Sequence, residues 1–209
     1  IVELDMEKLG TKGLYLITGD TGAGKMPEAE TLYQYIERTL ADPKDLIGKK
    51  VLVTAGPTQE SIDPVRYITN HSSGKMGYAV AKAAMLRGAD VTLVSGQTTL
   101  TPPMFVKYVQ ITTAEEMYQE VTSRSDEQDI IIKAAAVADY RPKTVYENKV
   151  KKKEGQMAIE LERTRDILAY LGEHKKENQF LCGFSMETEN MIGNSRAKLQ
   201  KKNLDMVAA

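Results

Sequence analysis

The 209-residue chain carries 28 Lys and Arg against 29 Asp and Glu, a formal net charge of -1, so the whole molecule offers no electrostatic footprint for nucleic acid or a membrane surface. Its one cysteine, Cys182, excludes an internal disulfide framework and suits a reducing compartment. No apolar run approaches the length of a membrane-crossing helix. IVELDMEKLG at the start lacks the basic and apolar regions of a signal peptide, and the expectation is a soluble cytoplasmic protein with one full core, or one domain plus a fragment of another.

Residues 1–47 read differently from the rest. GLYLIT (13–18) predicts a short strand, GDTGAGK a glycine-rich turn, and PEAETLYQYIERTL a helix with Pro27 in the first turn, where a missing N–H is tolerated. Turn chemistry and charge in ADPKDLIGKK put a boundary near Leu46, dividing a 1–47 segment from a 48–209 domain.

From Lys49 the order is regular. Strand VLVTA (51–55), helix YAVAKAAMLRGA closed at Gly88, and strand DVTLVSG (90–96) are followed by strand FVKYVQI (105–111), helix TAEEMYQEVTSR (113–124) with a Thr cap, and strand DIIIKAAAVA (129–138). Strands alternating with helices in this way predict an α/β, Rossmann-like, mostly parallel sheet with helices on both faces. A polar, lysine-rich stretch (140–156) precedes strand MAIELE, helix DILAYLGEHKK, buried strand FLCGFS (180–185), basic helix SRAKLQKKN and strand LDMVAA. The chain stops there without a cap or polar tail, which suggests a continuation.

Four stretches carry chemistry. The Gly56–Gly77 connection is far longer and more polar than the usual strand-to-helix link of about two to six residues. It holds Asp63, Arg66, Asn70, Ser72, Ser73, Gly74 and Lys75, and ends at a helix N-terminus suited to anions; it reads as a long binding loop after the first strand. The end of the fourth strand, AAAVAD, is either a tightly packed strand end with Asp139 as a turn cap, or a small-residue surface that a flat base approaches, with Asp139 as acceptor for a ribose or amine. Lys149–Lys153 is a solvated lysine face, or a cationic lid that closes over phosphates. In RAKLQKKNLD, Lys198 and Lys202 share a helix face.

Other motifs weaken on inspection. GDTGAGKM (19–26) matches G-x-x-x-x-G-K, yet Met26 stands where a magnesium-binding hydroxyl belongs and Pro27 removes an amide, so a glycine turn without nucleotide is favoured over a P-loop. Cys182 lies in a buried-strand pattern, and with only His71 and His174 available there is neither a metal set nor a catalytic triad.

GPTQESIDPVRYITNHSSGKMGYAVA, AAAVADYRP, NKVKK, GFSMET and KLQKKNLD, in that order over residues 49–209, resemble the bacterial phosphopantothenate-cysteine ligase family of coenzyme A biosynthesis. In many bacteria this ligase is the C-terminal half of a bifunctional protein whose N-terminal half is an FMN-dependent decarboxylase, and GDTGAGKMPE resembles that decarboxylase's substrate flap. Thr18 stands where the flap carries Cys, and the rest of the flavin domain is absent, so no decarboxylation is expected. The family's Asn-Pro-Asp appears as Thr164-Arg165-Asp166, in which only the Asp is shared.

The resemblance implies a homodimeric enzyme that joins 4'-phosphopantothenate to L-cysteine with CTP and Mg²⁺ through an acyl-cytidylate. It implies catalytic roles for Asn70, on the acyl oxygen, and Lys149, as lid cation. Nucleotide contacts fall to Ala135, Ala136, Asp139, Asp166, Phe184, Lys198 and Lys202, and substrate contacts to Arg66, Ser72, Ser73, Gly74 and Lys75; the magnesium ligands are unassigned. The alternative is a non-catalytic nucleotide-binding or scaffold module derived from the ligase.

Overall fold

The computed structural model describes residues 28–151 and 157–209; the strand expected over 13–18, the glycine turn, Pro27, and Lys152 and Lys153 lie outside them. Helix α1 (Ala29–Leu40) precedes strand β1 (Lys50–Ala55), the hairpin β2 (Gln59–Ser61) and β3 (Tyr67–Thr69), and helix α2 (Lys75–Leu86). Then come β4 (Asp90–Ser95), β5 (Lys107–Gln110), α3 (Ala114–Ser125), β6 (Ile130–Lys133), β7 (Tyr140–Pro142) and β8 (Leu161–Arg163). Helix α4 (Ile167–Glu173), β9 (Phe180–Phe184), α5 (Met191–Lys201) and β10 (Met206–Ala208) complete the order.

Six strands form one sheet in the order β10-β9-β6-β1-β4-β5, and every neighbouring pair is parallel. The chain walks outward from β1 through β4 to β5, then returns to lay β6 on the other side of β1 and continues through β9 to β10. Strand order therefore reverses between β1 and β6, the place where open parallel sheets bind ligands beyond their carboxyl ends.

Alternation along β1 explains both layers. Val51, Val53 and Ala55 point to the face covered by Tyr78, Ala81 and Met85 of α2. Leu52 points the other way and joins Ile131, Leu181, Met117, Val121, Ile167, Leu168 and Leu171, so α3 and α4 cover that face. Each such fully buried aliphatic side chain contributes about 1.5–3 kcal/mol relative to exposure. Two caps fix the covering helices. Thr113 and Glu116 close a capping box at α3, and the Asp166 carboxylate accepts from Ala169 N (2.9 Å) at α4.

Several boundaries differ from expectation. The strand read over 129–138 ends at Lys133, because AAAVA turns away to bond with the loop after β1. FVKYVQI shortens to Lys107–Gln110, since Phe105 adopts φ 65°, outside extended geometry. Of MAIELE only Leu161 and Glu162 are extended, in a strand that runs to Arg163 and pairs antiparallel with β7. The C-terminal basic helix begins at Met191, four residues before the expected Ser195. Within the long binding loop, β2 and β3 form a hairpin that periodicity did not reveal.

Candidate functional site

At the switch point the loops leaving β1 and β6 are joined rather than splayed. Ala136 N donates to Gly56 O (2.9 Å) and Thr58 N to Ala136 O (3.2 Å). Two buried hydroxyls extend the seam: Thr54 Oγ1 accepts from Ala135 N (3.1 Å) and Thr58 Oγ1 from Ala138 N (3.0 Å). Thr69 Oγ1 donates to Thr58 O (2.7 Å), which returns the end of the hairpin to the same seam. The next residue, Asn70, donates from Nδ2 to Val137 O (3.1 Å) and, at longer range, to Ala136 O (3.4 Å). Its side chain is exposed, so one N–H is anchored while the other is only weakly engaged.

This seam refines what Ala135 and Ala136 offer a base. Both amides are used inside the protein, which leaves carbonyl lone pairs and a wall of small side chains. Asp139 follows as an exposed carboxylate, its backbone held where Thr164 N donates to Asp139 O (3.0 Å) and Thr164 Oγ1 to Ala138 O (2.6 Å).

The hairpin tip is organised by Asp63. Its buried carboxylate accepts from Val65 N (2.9 Å), Arg66 N (2.9 Å), Arg66 Nε (3.1 Å) and Val150 N (3.1 Å), and pairs with Arg66 Nη2. The Arg66 guanidinium holds this carboxyl far below the usual carboxylate range against the opposing effect of burial, and the amides of Val65, Val150 and Arg66 add to it. Arg66 Nη2 also donates to Val150 O (3.0 Å), and Tyr146 N to Ile62 O (3.0 Å). Two of the groups singled out in the sequence thereby meet: the lysine stretch is clamped at Val150 onto Arg66, with exposed Lys149 beside the clamp. No bond to a described residue brings Lys149 to the lysines at the far end of the sheet.

The start of α2 gathers Ser72, Ser73, Gly74 and Lys75. Gly74 is the N-cap with φ 76°, and a Cβ there would lie 2.8 Å from Thr98 Cγ2 and 3.3 Å from the backbone of Gly56. Both the conformation and the close approach call for glycine. The hydroxyls of Ser72 and Ser73 accept only long bonds, from Gly74 N (3.3 Å) and Lys75 N (3.5 Å), and both residues are exposed.

A second cluster forms at the carboxyl ends of β6 and β9. Lys198 Nζ donates to Phe184 O (2.7 Å), and Lys202 Nζ pairs with Asp166 Oδ2 (2.7 Å). Asp166, Phe184, Lys198 and Lys202 are thus brought together. Burial, and then Lys202, push the Lys198 ammonium down. Burial works to raise Asp166, but hydrogen bonds from Lys202 and Ala169 hold it below the usual range. Into the same group reaches Lys133, which the sequence reading passed over. Burial, and the charges of Lys198 and Lys202, push it down to about 8 against the opposing pull of Asp166 and Asp139.

Sequence reasoning also missed the buried polar seam of Thr54, Thr58 and Glu60, whose Oε1 accepts from Ala114 N (2.8 Å) at the start of α3. The available signal was polar residues continuing an apolar strand. Two cavities lie apart from the seam. One of about 320 Å³ lies between α1, α2 and residues 100–104, with Lys75 and Tyr78 on its wall, and another of about 340 Å³ is lined by Glu115, Arg141, Arg163, Thr164 and Arg165.

Residues 46–209 match the family described as the DNA/pantothenate metabolism flavoprotein C-terminal domain. The chain is 48% identical over 198 residues to the coenzyme A biosynthesis bifunctional protein CoaBC of Bacillus subtilis, covering 93% of this chain and 48% of that protein. It therefore spans about half the length of the curated relatives it matches. Among solved structures, the C-terminal domain of a CoaBC protein is similar at 50% identity and TM-score 0.71, over 79% of this chain and 78% of that one. A Cab2 mutant in complex with phosphopantothenate-cysteine shares the fold at 17% identity and TM-score 0.68, over 88% and 80%.

Proposed function

The chain belongs to the DNA/pantothenate metabolism flavoprotein C-terminal domain family, and from that premise we propose that it is the ligase unit of a coenzyme A biosynthesis protein. It joins 4'-phosphopantothenate to L-cysteine at the expense of CTP. The observation that carries this reading is the arrangement around the switch point, where Asn70 is hydrogen-bonded across it to Val137 O and a cluster of lysines occupies the ends of β6 and β9. One position suits an acyl group and the other a triphosphate, on the same edge of one sheet.

The substrate carboxylate attacks the α-phosphate, the bond to the β-phosphate breaks, and pyrophosphate leaves with its charge spread towards Lys198 and Lys202. The acyl-cytidylate places its carbonyl at Asn70. The cysteine amine attacks that carbon, the weakly engaged Asn70 N–H stabilises the oxyanion, and CMP departs. No protein nucleophile is required; positioning and charge stabilisation suffice. Lys149, held by the Val150 clamp, supplies the lid cation. Ser72, Ser73 and Lys75 offer donors to the pantothenate phosphate, while Arg66 acts through the clamp as much as through substrate.

Among the described residues no group of three or more His, Cys, Asp or Glu gathers to hold a metal ion. Magnesium commonly binds through one or two carboxylates together with substrate phosphates, and Asp139 is the exposed carboxylate that fits this mode. When bound, the ion neutralises triphosphate charge. A homodimer is in keeping with the apolar groups Val65, Tyr67, Tyr140, Val145 and Leu161 left exposed on and around the two small two-stranded sheets; the relatives are bifunctional, and the further unit proposed for this protein is a decarboxylase. No helix of the described residues is long and apolar enough to cross a membrane.

Pyrophosphate release from CTP tests the proposal. It should require phosphopantothenate and should be followed by CMP once cysteine is added. CTP binding with neither release nor product, in this chain and in one extended past Ala209, would instead identify a non-catalytic nucleotide-binding module.

A further inference from the structure

Three stretches of backbone crowd together where the chain leaves β1, leaves β4 and enters α2, and one methyl group lies between them. Gly56 and Gly74 hold φ of 70° and 76°. A Cβ added at Gly56 would lie 2.9 Å from Thr98 Cγ2, and one added at Gly74 would lie 2.8 Å from the same atom. The added Cβ at Gly74 would also lie 3.3 Å from Gly56 Cα, so the two glycines face each other at the Thr98 methyl. The hydroxyl of this half-buried residue holds the methyl in place. Oγ1 donates to Tyr78 Oη on α2 (3.0 Å) and accepts from Leu100 N (3.3 Å), and a β-branched side chain is stiff at χ1.

The methyl separates two parts of the site. On one side, Gly56 O accepts from Ala136 N (2.9 Å), in the seam to which Asn70 is anchored through Val137 O (3.1 Å). On the other, Gly74 is the N-cap of α2, where no side chain caps the helix, and exposed Ser72 and Ser73 precede it. In the reading above, the first holds the acyl end of phosphopantothenate and the second its phosphate. We propose that Thr98 is a positioning residue for that substrate: its methyl is a spacer that sets the distance between the two holds, and so the fit of a molecule gripped at both ends. This rests on the proposed ligase reading, in which the start of α2 takes the phosphate. The spacer acts on Gly74 more than on the seam, because Thr54 and Thr58 tie the seam down independently. Strand β4, which leads to Thr98, lies on the opposite side of β1 from β6 and β9, so the nucleotide side stays where it is when the spacer is lost.

The two halves of the side chain can be removed one at a time. Thr98→Ser keeps the hydroxyl bonds and deletes the spacer, whereas Thr98→Val keeps the spacer and deletes the hydroxyl. The test is steady-state pyrophosphate release by wild type and both variants, with KM measured separately for phosphopantothenate and for CTP, and a melting temperature for each protein. Thr98→Ser should raise KM for phosphopantothenate about fivefold or more, because a small misplacement of one hold spoils a two-ended fit. Its kcat and its KM for CTP should stay within about twofold of wild type, as when an interaction shared by ground and transition states is lost. Thr98→Val leaves Tyr78 Oη and Leu100 N without their partner and should melt below wild type. It should nevertheless keep the wild-type KM for phosphopantothenate, which separates positioning from stability. A wild-type KM in Thr98→Ser, an equal rise in Thr98→Val, or a parallel rise in KM for CTP would overturn the spacer and leave the ligase reading intact. Absence of phosphopantothenate-dependent release from the wild type would overturn both.

Discussion

Replacing Asn70 with aspartate separates the two half-reactions. In the native protein the amide nitrogen stands 3.1 Å from Val137 O and 3.4 Å from Ala136 O. The Asn70→Asp change would set a carboxylate oxygen against those carbonyls, so the new side chain must swing away and the donor is lost. The anchoring bond is exposed, and its removal alone costs about 0.5–1.5 kcal/mol of stability, too little to unfold a domain with two continuous core layers. An oxyanion donor is worth about 2.7–4 kcal/mol in the transition state, or roughly 10²–10³ in rate, and it acts when the cysteine amine attacks the acyl carbon. Nucleotidyl transfer at the α-phosphate does not use it. Single-turnover quenching should therefore show pyrophosphate released within about threefold of the wild-type rate while phosphopantothenoylcysteine forms about 10²–10³ slower. Equal slowing of both steps would refute the acyl-oxygen role and make Asn70 a strut between the two loops.

Thr58→Val leaves the buried Ala138 amide without its acceptor and should lower stability by about 1–3 kcal/mol in denaturant titrations, with a larger loss of CTP affinity than an equally destabilised core variant. Asp63 has a folded pKa depressed by Arg66, so its stabilisation is complete above the ordinary carboxylate range of about 4 and is lost as pH falls below it. The melting-temperature gap between wild type and Asp63→Asn should be widest above about pH 5, begin to narrow below about pH 4 and close only well below about pH 3, as pH falls through the depressed folded value; a gap independent of pH would show that the clamp is not ionic. Lys202→Met frees Asp166 and removes a phosphate-side cation. CTP affinity should fall, with a shallower dependence on salt than in wild type and CMP affinity little affected; an unchanged salt dependence measured by titration would remove Lys202 from the phosphate side.

The parallel sheet and its covering helices were readable because β1, β4, β6 and β9 are apolar runs separated by amphipathic helices, a pattern that depends on the core and little else. The grouping of Asp166, Phe184, Lys198 and Lys202 was likewise legible, although through resemblance: nothing in the spacing of the residues says that Lys202 reaches the cap of α4. What stayed hidden was set by pairing across the chain. Ala134–Ala138 has the composition of a strand end, but it leaves the sheet because Thr54, Gly56 and Thr58 offer its amides partners. The hairpin inside the long loop depends on Asp63 drawing Arg66 and Val150 together, a contact across 87 positions that no local window contains. Lys133 was passed over because a lysine ending an isoleucine run reads as a chain that snorkels to solvent; it is half-buried, and only the fold sets it within electrostatic reach of Asp166, Lys198 and Lys202.

The central claim is that nucleotide lies at the ends of β6 and β9 with its α-phosphate turned towards Asn70. A crystal structure of the chain soaked with CTP tests it most directly. The account predicts triphosphate oxygens within hydrogen-bond distance of Lys198 and Lys202, and the base against Ala135–Asp139. A triphosphate seated instead at the start of α2, on Ser72, Ser73 and Lys75, would contradict it.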